Sequence, residues 1–278
     1  MFEFQFDHQP LPSTTDAGLD GKHVKPGSHT AIVQAEFIHL NQQIHLLKRM
    51  ISDIRFEIIH QEKDELPISN VIETQSDLIP LVYEGGLKTW ECSFDLLNYL
   101  SKINLQDKTV MELGCGSALP GIYALTQGAH VDFQDYNEDV IQMLTMPNVL
   151  LNTNQEFLQA ALNNELEFEL DYRNLSNQSQ FYSGDWGNFE GIMLQQHYDL
   201  IITSESIYAQ ESHAKLIQLM KYLLKKDGII LVAAKSFYFG CSGSLNSFLE
   251  SCKTLFDINV KWTDSSSVRR EIVELRLK

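Results

Sequence analysis

One short run of the sequence, residues 110–121, constrains the fold more than any other: it reads VMELGCGSALPG. Its first part is predicted to be a buried strand, Gly114 and Gly116 form a turn, and a helix is predicted to begin at Ala118. Glycine lets the backbone approach a bound ligand closely because it has no Cβ atom. Asp135 follows about twenty residues later, at the end of a second predicted strand, where dinucleotide-binding folds place their ribose-binding carboxylate. The run therefore predicts a doubly wound α/β sheet with a ligand at the carboxyl ends of its strands.

The spacing of this turn differs from a dinucleotide fingerprint, because Ala118 stands where a third glycine would continue the alternation. A carboxylate at the strand tip would repel a pyrophosphate, whereas it suits a cation. S-adenosylmethionine has a ribose and an adenine, carries a sulfonium and an ammonium charge, and has no pyrophosphate. The pattern favours S-adenosylmethionine as the ligand over the alternative of a purely structural turn.

The composition disfavours several classes of function. A net charge of −16 disfavours direct binding to nucleic acid, which needs clustered Lys and Arg. An acidic surface would attract a basic partner such as a ribosomal protein, although such a charge also simply aids solubility. No apolar run is long enough to span a bilayer, and the four cysteines lack CxxC spacing, which favours a reducing compartment. We expect a monomer without a metal or a membrane, in the cytoplasm and nucleus.

Residues 77–278 are predicted to form one α/β domain in which strands and helices alternate. The predicted strands are 109–114, 130–135, 180–184, 198–204, 228–235, 256–263 and 269–277, and the predicted helices are 118–127, 137–151, 211–226 and 243–254. The last two strands have no helix between them, which indicates an antiparallel hairpin. A mostly parallel seven-stranded sheet that ends in such a hairpin is the Rossmann-like architecture of class I methyltransferases.

Residues 1–76 are predicted to form an N-terminal arm and an accessory segment, partly flexible because 7–30 are rich in Pro, Gly, Ser, Thr, His and Asp. Within this segment Ile44, Leu47 and Ile51 have helical spacing, and 54–58 alternate like a strand. The polar residues 154–179 are predicted to be an insertion.

The ligand of a doubly wound sheet lies across the carboxyl ends of its strands, so the residues that follow each strand are the candidates for the site. Asp135 can accept hydrogen bonds from two ribose hydroxyls, and Tyr136 can cover one face of the adenine. Asp185 or its neighbours can contact the adenine edge, with Trp186 packed beside it. The alternative is that such strand-end acids cap the helices that follow them.

Two further acids, Glu112 and Glu205, fall on the same edge and would complete a set of four around a cationic cofactor. Ser93 opens the helix that precedes the first strand, and helix N-termini offer free N–H groups to carboxylates such as that of the methionine moiety. Ser93 could equally be a simple N-cap.

A longer run, residues 77–97, reads DLIPLVYEGGLKTWECSFDLL and closely resembles the signature of eukaryotic histidine protein methyltransferases. The runs LGCGS, FQDYN, SGDW and TSESIY, which begin at residues 113, 133, 183 and 203, fit the same family in order. The resemblance covers roughly residues 77–278. It implies methylation of the tele nitrogen (Nε2) of a histidine in large-subunit ribosomal protein L-three.

Carried over by motif, the expected cofactor site comprises Thr89, Trp90, Glu91, Cys92, Ser93, Gly114, Gln134, Asp135, Tyr136, Gly184, Asp185, Trp186 and Ser204. The strand end and the glycine turn add Glu112 and Gly116 to this expected site. The sequence departs from the family at Ala118, which replaces a glycine often found in the loop, and it matches weakly before residue 77. The candidates for holding the acceptor ring are Glu205, Tyr208 and Asn137.

Two alternatives stay open at this point. Related lysine methyltransferases share the Trp-bearing helix and an acid-x-x-Tyr motif like that of residues 205–208. A cofactor-free scaffold that binds a ribosomal protein would keep the fold without the chemistry, although the acids at the strand tips argue against it. Methylation of an amide or of the adenine amino group is disfavoured, since no Asn-Pro-Pro-Tyr-type motif follows the fourth strand.

Overall fold

The computed structural model describes residues 19–41, 44–53, 83–175, 179–266 and 268–278. In these ranges the strands β1 to β11 are, in chain order, Lys22–His23, Thr30–Asn41, Ile44–Arg49, Thr109–Leu113, His130–Asp135, Glu167–Asp171, Phe181–Ser183, Tyr198–Ser204, Leu224–Lys235, Phe256–Asp264 and Arg270–Leu277. The helices α1 and α2 are Glu91–Leu100 and Leu119–Thr126. Helix α3 has three consecutive parts, Glu138–Val140, Ile141–Thr145 and Met146–Thr153, of which the middle one is π-helical. The helices α4 to α6 are Gln155–Leu162, His213–Leu223 and Leu245–Cys252.

The main sheet has the strand order β1-β7-β5-β4-β8-β9-β11-β10. Strands β7, β5, β4, β8 and β9 are parallel neighbours, and β11 runs antiparallel between β9 and β10. The predicted Rossmann-like, mostly parallel sheet with a C-terminal antiparallel hairpin is therefore confirmed. The structure adds β1, a short strand from the N-terminal arm that pairs antiparallel with β7 at the edge of the sheet.

The core lies on both faces of this sheet, because successive side chains of a strand point to opposite faces. Val110 packs in one apolar cluster with Leu96 and Ile122, while its neighbour Met111 packs in a second cluster with Leu216. All four residues from Val110 to Leu113 are buried, as expected for a central parallel strand with helices on both sides. This arrangement fixes where β4 ends and so positions the glycine turn.

The helix predicted from Ile44 and Leu47 is wrong, because both residues lie in strand β3 of a second sheet with the order β3-β2-β6. Asparagine side chains of α3 form hydrogen bonds with the backbone N–H and C=O groups at the outer edge of β3. Asn152 accepts from the Leu47 N–H at 2.8 Å and donates to the Leu47 carbonyl at 2.7 Å, and Asn148 accepts from the Arg49 N–H at 2.7 Å. Spacing alone could not reveal these long-range partners.

The polar segment predicted as an insertion contains α4 and β6, and β6 pairs with β2 through Val33 and Phe168. Of the predicted flexible arm, residues 19–30 are described and pack on the domain, with Val24 buried beside β7. The strand predicted at 54–58 lies outside the described residues, and the division at residue 76 stays a prediction. No helix in the described ranges is long and apolar enough to cross a membrane.

Candidate functional site

A cleft opens at the carboxyl edge of the main sheet, where β4, β5, β7 and β8 end. It encloses about 930 Å³, including space open to solvent. Eleven of the predicted site residues line it: Trp90, Ser93, Gly114, Gly116, Asp135, Tyr136, Asp185, Trp186, Ser204, Glu205 and Tyr208. The other seven lie behind or beside the wall: Thr89, Glu91, Cys92, Glu112, Gln134, Asn137 and Gly184. The topology thus brings together residues that are far apart in the sequence.

The glycine turn after β4 has left-handed backbone at Gly114 (φ +65°) and Gly116 (φ +50°). A Cβ atom on Gly116 would come within 2.8 Å of the Gly86 carbonyl oxygen, so a side chain there would push the loop 83–88 away from the turn. Ala118 also adopts a left-handed φ of +59°, a conformation that costs a non-glycine residue about 1–2 kcal/mol. The departure from the family at Ala118 is therefore accommodated with a strained backbone.

Asp135 lies at the floor of the cleft, at the end of β5. Its Oδ2 accepts from the Gly116 N–H at 2.9 Å, and its Oδ1 accepts from the Asn137 N–H at 3.2 Å. Burial raises the pKa of this carboxyl to about 6, against the lowering effect of these hydrogen bonds. The acid and the glycine turn form one unit.

Gln134 is fully buried and joins three parts of the wall. Its Oε1 accepts from the Trp186 indole N–H at 2.8 Å and from the Gly114 N–H at 3.3 Å, and its Nε2 donates to the Gly184 carbonyl at 2.9 Å. Gln134 therefore positions the cleft without lining it.

Two of the predicted acids act as helix caps. Asp185 Oδ1 accepts from the Gly187 N–H at 2.8 Å, and its Oδ2 pairs with Lys215 at 2.9 Å. Glu112 does not line the cleft: its Oε2 accepts from the Gly121 N–H at 2.9 Å inside the core, and burial raises its pKa to about 8. For both side chains the contacts are those of the capping alternative.

The N-terminal arm braces the loop that follows β7, which sequence reasoning missed. The Leu19 carbonyl accepts from the Asp185 N–H at 2.9 Å and from the Asn188 side chain at 2.9 Å, and the Leu19 backbone hydrogen-bonds with the Tyr136 hydroxyl. A Cβ atom on Gly184, whose φ is +127°, would lie 2.4 Å from the Asp20 carbonyl oxygen. The arm and this loop touch backbone to backbone.

At the opposite end of the cleft, Glu205 follows β8 with a left-handed φ of +56°. Its Oε1 accepts from the Cys92 N–H at 3.4 Å and lies 3.6 Å from the Lys235 ammonium. The hydroxyls of Ser93 and Ser204 share a hydrogen bond of 2.9 Å across the same junction. Glu205 therefore ties the start of α1 to the end of β8.

Around this junction, the Glu91 carboxylate lies 3.3 Å from the Lys235 ammonium, and the Thr89 hydroxyl donates to Ser117 at 2.9 Å. The Trp90 ring has the Lys88 ammonium 4.5 Å from its centroid. These contacts fix the residues that open α1 against the glycine turn.

Tyr208 and Asn137 meet at Glu84, a residue that sequence reasoning did not select. The Tyr208 hydroxyl donates to Glu84 Oε2, and the Glu84 N–H donates to Asn137 Oδ1 at 3.2 Å. Burial, followed by the Glu84 charge, raises the pKa of Tyr208 well above its usual range, so this phenol stays protonated. Glu84 could have been selected from the sequence, because it lies within the run 77–97 that resembles the family signature. No group of His, Cys, Asp and Glu in the described part of the chain is arranged to hold a metal ion.

Comparison with known proteins places the chain in a family. Residues 81–251 match the family model described as lysine methyltransferase. Histidine protein methyltransferase 1 of Schizosaccharomyces pombe is 31% identical over 261 residues, which cover 82% of this chain and 76% of that protein. The chain belongs to the histidine protein methyltransferase 1 family. The resemblance seen in the motifs is confirmed.

Other members of the family are longer than the region they share with this chain. The homolog of Dictyostelium discoideum is 40% identical over 210 residues, and that of Bos taurus is 37% identical over 238 residues. These alignments cover 73% and 78% of this chain but only 62% of each relative.

Among solved structures, the methyltransferase SMU.776, crystallised with SAH, superposes with a TM-score of 0.51 at 13% identity. The match covers 87% of this chain and 56% of that one, and it shows a shared fold.

Proposed function

We propose that this protein is an S-adenosylmethionine-dependent protein-histidine N-methyltransferase that modifies the tele nitrogen of a histidine in large-subunit ribosomal protein L-three. The observation that carries the proposal is the cleft itself, whose wall contains both the Asp135–Gly116 unit and the Tyr208–Glu84 pair. Membership of the histidine protein methyltransferase 1 family supports the histidine as acceptor. The acidic chain, with a net charge of −16, suits a basic ribosomal protein.

The residues of the cleft fit S-adenosylmethionine. Among the described residues, four carboxylates and one lysine line it: Glu84, Asp135, Asp185, Glu205 and Lys88. Asp185 and Glu205 are paired with Lys215 and Lys235, so the negative charge that suits a sulfonium and an ammonium group comes from Glu84 and Asp135. The glycine turn contributes two lining residues without a Cβ atom, Gly114 and Gly116.

When bound, S-adenosylmethionine supplies an electrophilic methyl group. We assign Asp135 to the ribose hydroxyls, and Tyr136 and Trp186 to the adenine. The backbone N–H groups at the start of α1, apart from the Cys92 N–H that donates to Glu205, would hold the carboxylate of the methionine moiety. Gln134 and the arm at Leu19 hold these parts in place.

The chain must present the acceptor imidazole in its neutral form, since only that form has a lone pair. The other ring nitrogen then carries the proton, so a hydrogen-bond acceptor beside it would fix the tautomer. Tyr208 remains a phenol and cannot serve as the base. Alignment of the ring and exclusion of water should supply most of the rate. Glu205, Tyr208 and Asn137 are the ring-holding residues that the sequence proposes.

A lysine acceptor is the second candidate. The matching family model is described as lysine methyltransferase, and the Danio rerio protein N-lysine methyltransferase METTL21A is 29% identical over 151 residues. The higher identity and coverage of the histidine protein methyltransferases favour histidine. A scaffold that binds a ribosomal protein without methylating it is the third candidate. Binding of S-adenosylmethionine by the purified protein would argue against a scaffold.

The test uses purified L-three as the acceptor and S-adenosylmethionine with a labelled methyl group. We expect label on one histidine of L-three, located by peptide mass mapping, and a much slower reaction with Asp135→Ala. In a parallel reaction with a ribosome-free extract, label on other proteins together with no label on purified L-three would contradict L-three as the substrate.

The free thiols of Cys92, Cys115, Cys241 and Cys252 suit a reducing compartment, and we propose a monomer in the cytoplasm and nucleus.

A further inference from the structure

We infer that Glu84 accepts the N–H of the acceptor imidazole and thereby selects the ring nitrogen that attacks. This inference rests on the proposed function and names the residue that would give it its regiochemistry.

The position of Glu84 supports this role. Its side chain is half-buried and lines the cleft, next to Gly85 and Gly86 of the loop that closes over the glycine turn. Tyr208 donates to its Oε2, and its own N–H is held by Asn137. A carboxylate can accept about four hydrogen bonds, so acceptance from Tyr208 does not by itself exclude an imidazole N–H. Two of the three ring-holding residues expected from the sequence thus act on Glu84.

The other polar groups at this end are less suited to the task. Glu205 has a side chain only 2% exposed, and its Oε1 faces Cys92 and the Lys235 ammonium. Asn137 is 6% exposed and lies behind the loop. The Tyr208 hydroxyl already donates to Glu84, and a phenol that keeps its proton is a weak acceptor beside a carboxylate. Glu84 is therefore the least buried of the four carboxylates that line the described cleft.

The chemistry follows from this contact. With its Nδ1 proton directed at Glu84, the ring presents the Nε2 lone pair to the methyl group. The N–C bond forms from that lone pair, and the electrons of the S–C bond stay on sulfur. The ring becomes positive, and the Glu84 carboxylate stabilises this charge and can take the Nδ1 proton before it passes to water. Tyr208 is a positioning residue because it acts through Glu84.

The experiment compares wild type with Glu84→Gln, Glu84→Asp and Tyr208→Phe, with L-three as the acceptor. Single-turnover rates, cofactor affinity by calorimetry, thermal midpoints and the ratio of tele- to pros-methylhistidine are measured. Loss of a positioned base typically costs about 10²–10⁴-fold in rate, so we expect Glu84→Gln to fall in this range while cofactor affinity changes less than about threefold. We also expect pros-methylhistidine to appear in Glu84→Gln, because an amide no longer fixes the tautomer. Glu84→Asp should recover part of the rate and the selectivity, and Tyr208→Phe should lie between the extremes.

The matched control is Glu211→Gln, an exposed glutamate that accepts from Ser242 outside the cleft, and it should behave as wild type. If Glu84→Gln folds poorly, the ratio of tele- to pros-methylhistidine is measured with Glu84→Asp and Tyr208→Phe instead. Wild-type rate and wild-type selectivity in a folded Glu84 variant would overturn the inference alone. A wild-type protein that binds cofactor but methylates no histidine would overturn the proposed function and this inference with it.

Discussion

The Gly116 N–H donates to Oδ2 of Asp135 over 2.9 Å, and this bond joins the glycine turn after β4 to the acid at the end of β5. The two strands are parallel neighbours in register, so their carboxyl ends meet at this point. The bond orients a buried carboxylate whose pKa is raised to about 6 by its burial. Asp135 is therefore held in place at the position where we assign the ribose hydroxyls.

Replacement of this acid tests the ribose assignment. Loss of a charge-assisted hydrogen bond should cost roughly 1.5–3 kcal/mol, so Asp135→Ala should weaken cofactor binding about ten- to a hundredfold. Calorimetry measures the dissociation constant, with Asp257→Ala on the exposed side of β10 as the control. Unchanged affinity in a folded Asp135→Ala variant would remove Asp135 from the site.

The raised pKa of Asp135 predicts a pH dependence for cofactor binding. The carboxylate accepts from hydroxyls above its pKa of about 6 and is protonated below it. We expect the dissociation constant to rise about tenfold per pH unit below this value if only the ionised form binds. Titration calorimetry between pH 5 and pH 8 checks this, and Asp135→Asn should show no such dependence. A flat profile for wild type would contradict it.

Glu112 predicts a pH dependence of stability. Its folded-state pKa of about 8 lies above its unfolded value of about 4.3, so the folded state binds the extra proton between these values. The contribution to stability is complete below about pH 4.3 and is lost as the pH rises through 8, at up to about 1.4 kcal/mol per pH unit. The new glutamine side chain of Glu112→Gln is neutral at every pH, so this variant lacks the loss of stability. The free energy of unfolding of wild type should therefore fall relative to that of Glu112→Gln as the pH rises from 5 to 8. Urea denaturation measures this, with exposed Glu250→Gln as the control, and a constant difference would mean that Glu112 is ionised in the folded protein.

The contact between the N-terminal arm and the loop after β7 can be tested with two glycines. Gly184→Ala and Gly191→Ala both place alanine at positive φ, but the new methyl group meets the Asp20 carbonyl only in Gly184→Ala. We expect Gly191→Ala to cost about 1–2 kcal/mol and Gly184→Ala about 1–3 kcal/mol more. Only Gly184→Ala should also weaken cofactor binding, because it displaces the loop with Asp185 and Trp186. Equal effects of the two variants on affinity would show that the arm does not brace the site.

The sequence predicted the parts of the molecule that local patterns determine. The buried run around Val110 and Met111 predicted a central strand, and the rule that ligands bind at strand ends selected Asp135, Tyr136 and Trp186 for the cleft. It failed at β3, where asparagines of α3 about a hundred residues away satisfy the strand edge. It also missed the bond between Glu84 and Tyr208, which are 124 residues apart, and the backbone contact of Asp20 with Gly184. Such contacts depend on tertiary packing, which no local pattern contains.

The most direct test of the account is the identity of the methylated amino acid. L-three labelled by the purified protein and S-adenosylmethionine is hydrolysed completely, and the labelled amino acids are separated against standards. We expect tele-methylhistidine as the labelled product of wild type, formed much more slowly by Asp135→Ala. Methyl-lysine as the labelled product, with no methylhistidine, would contradict it.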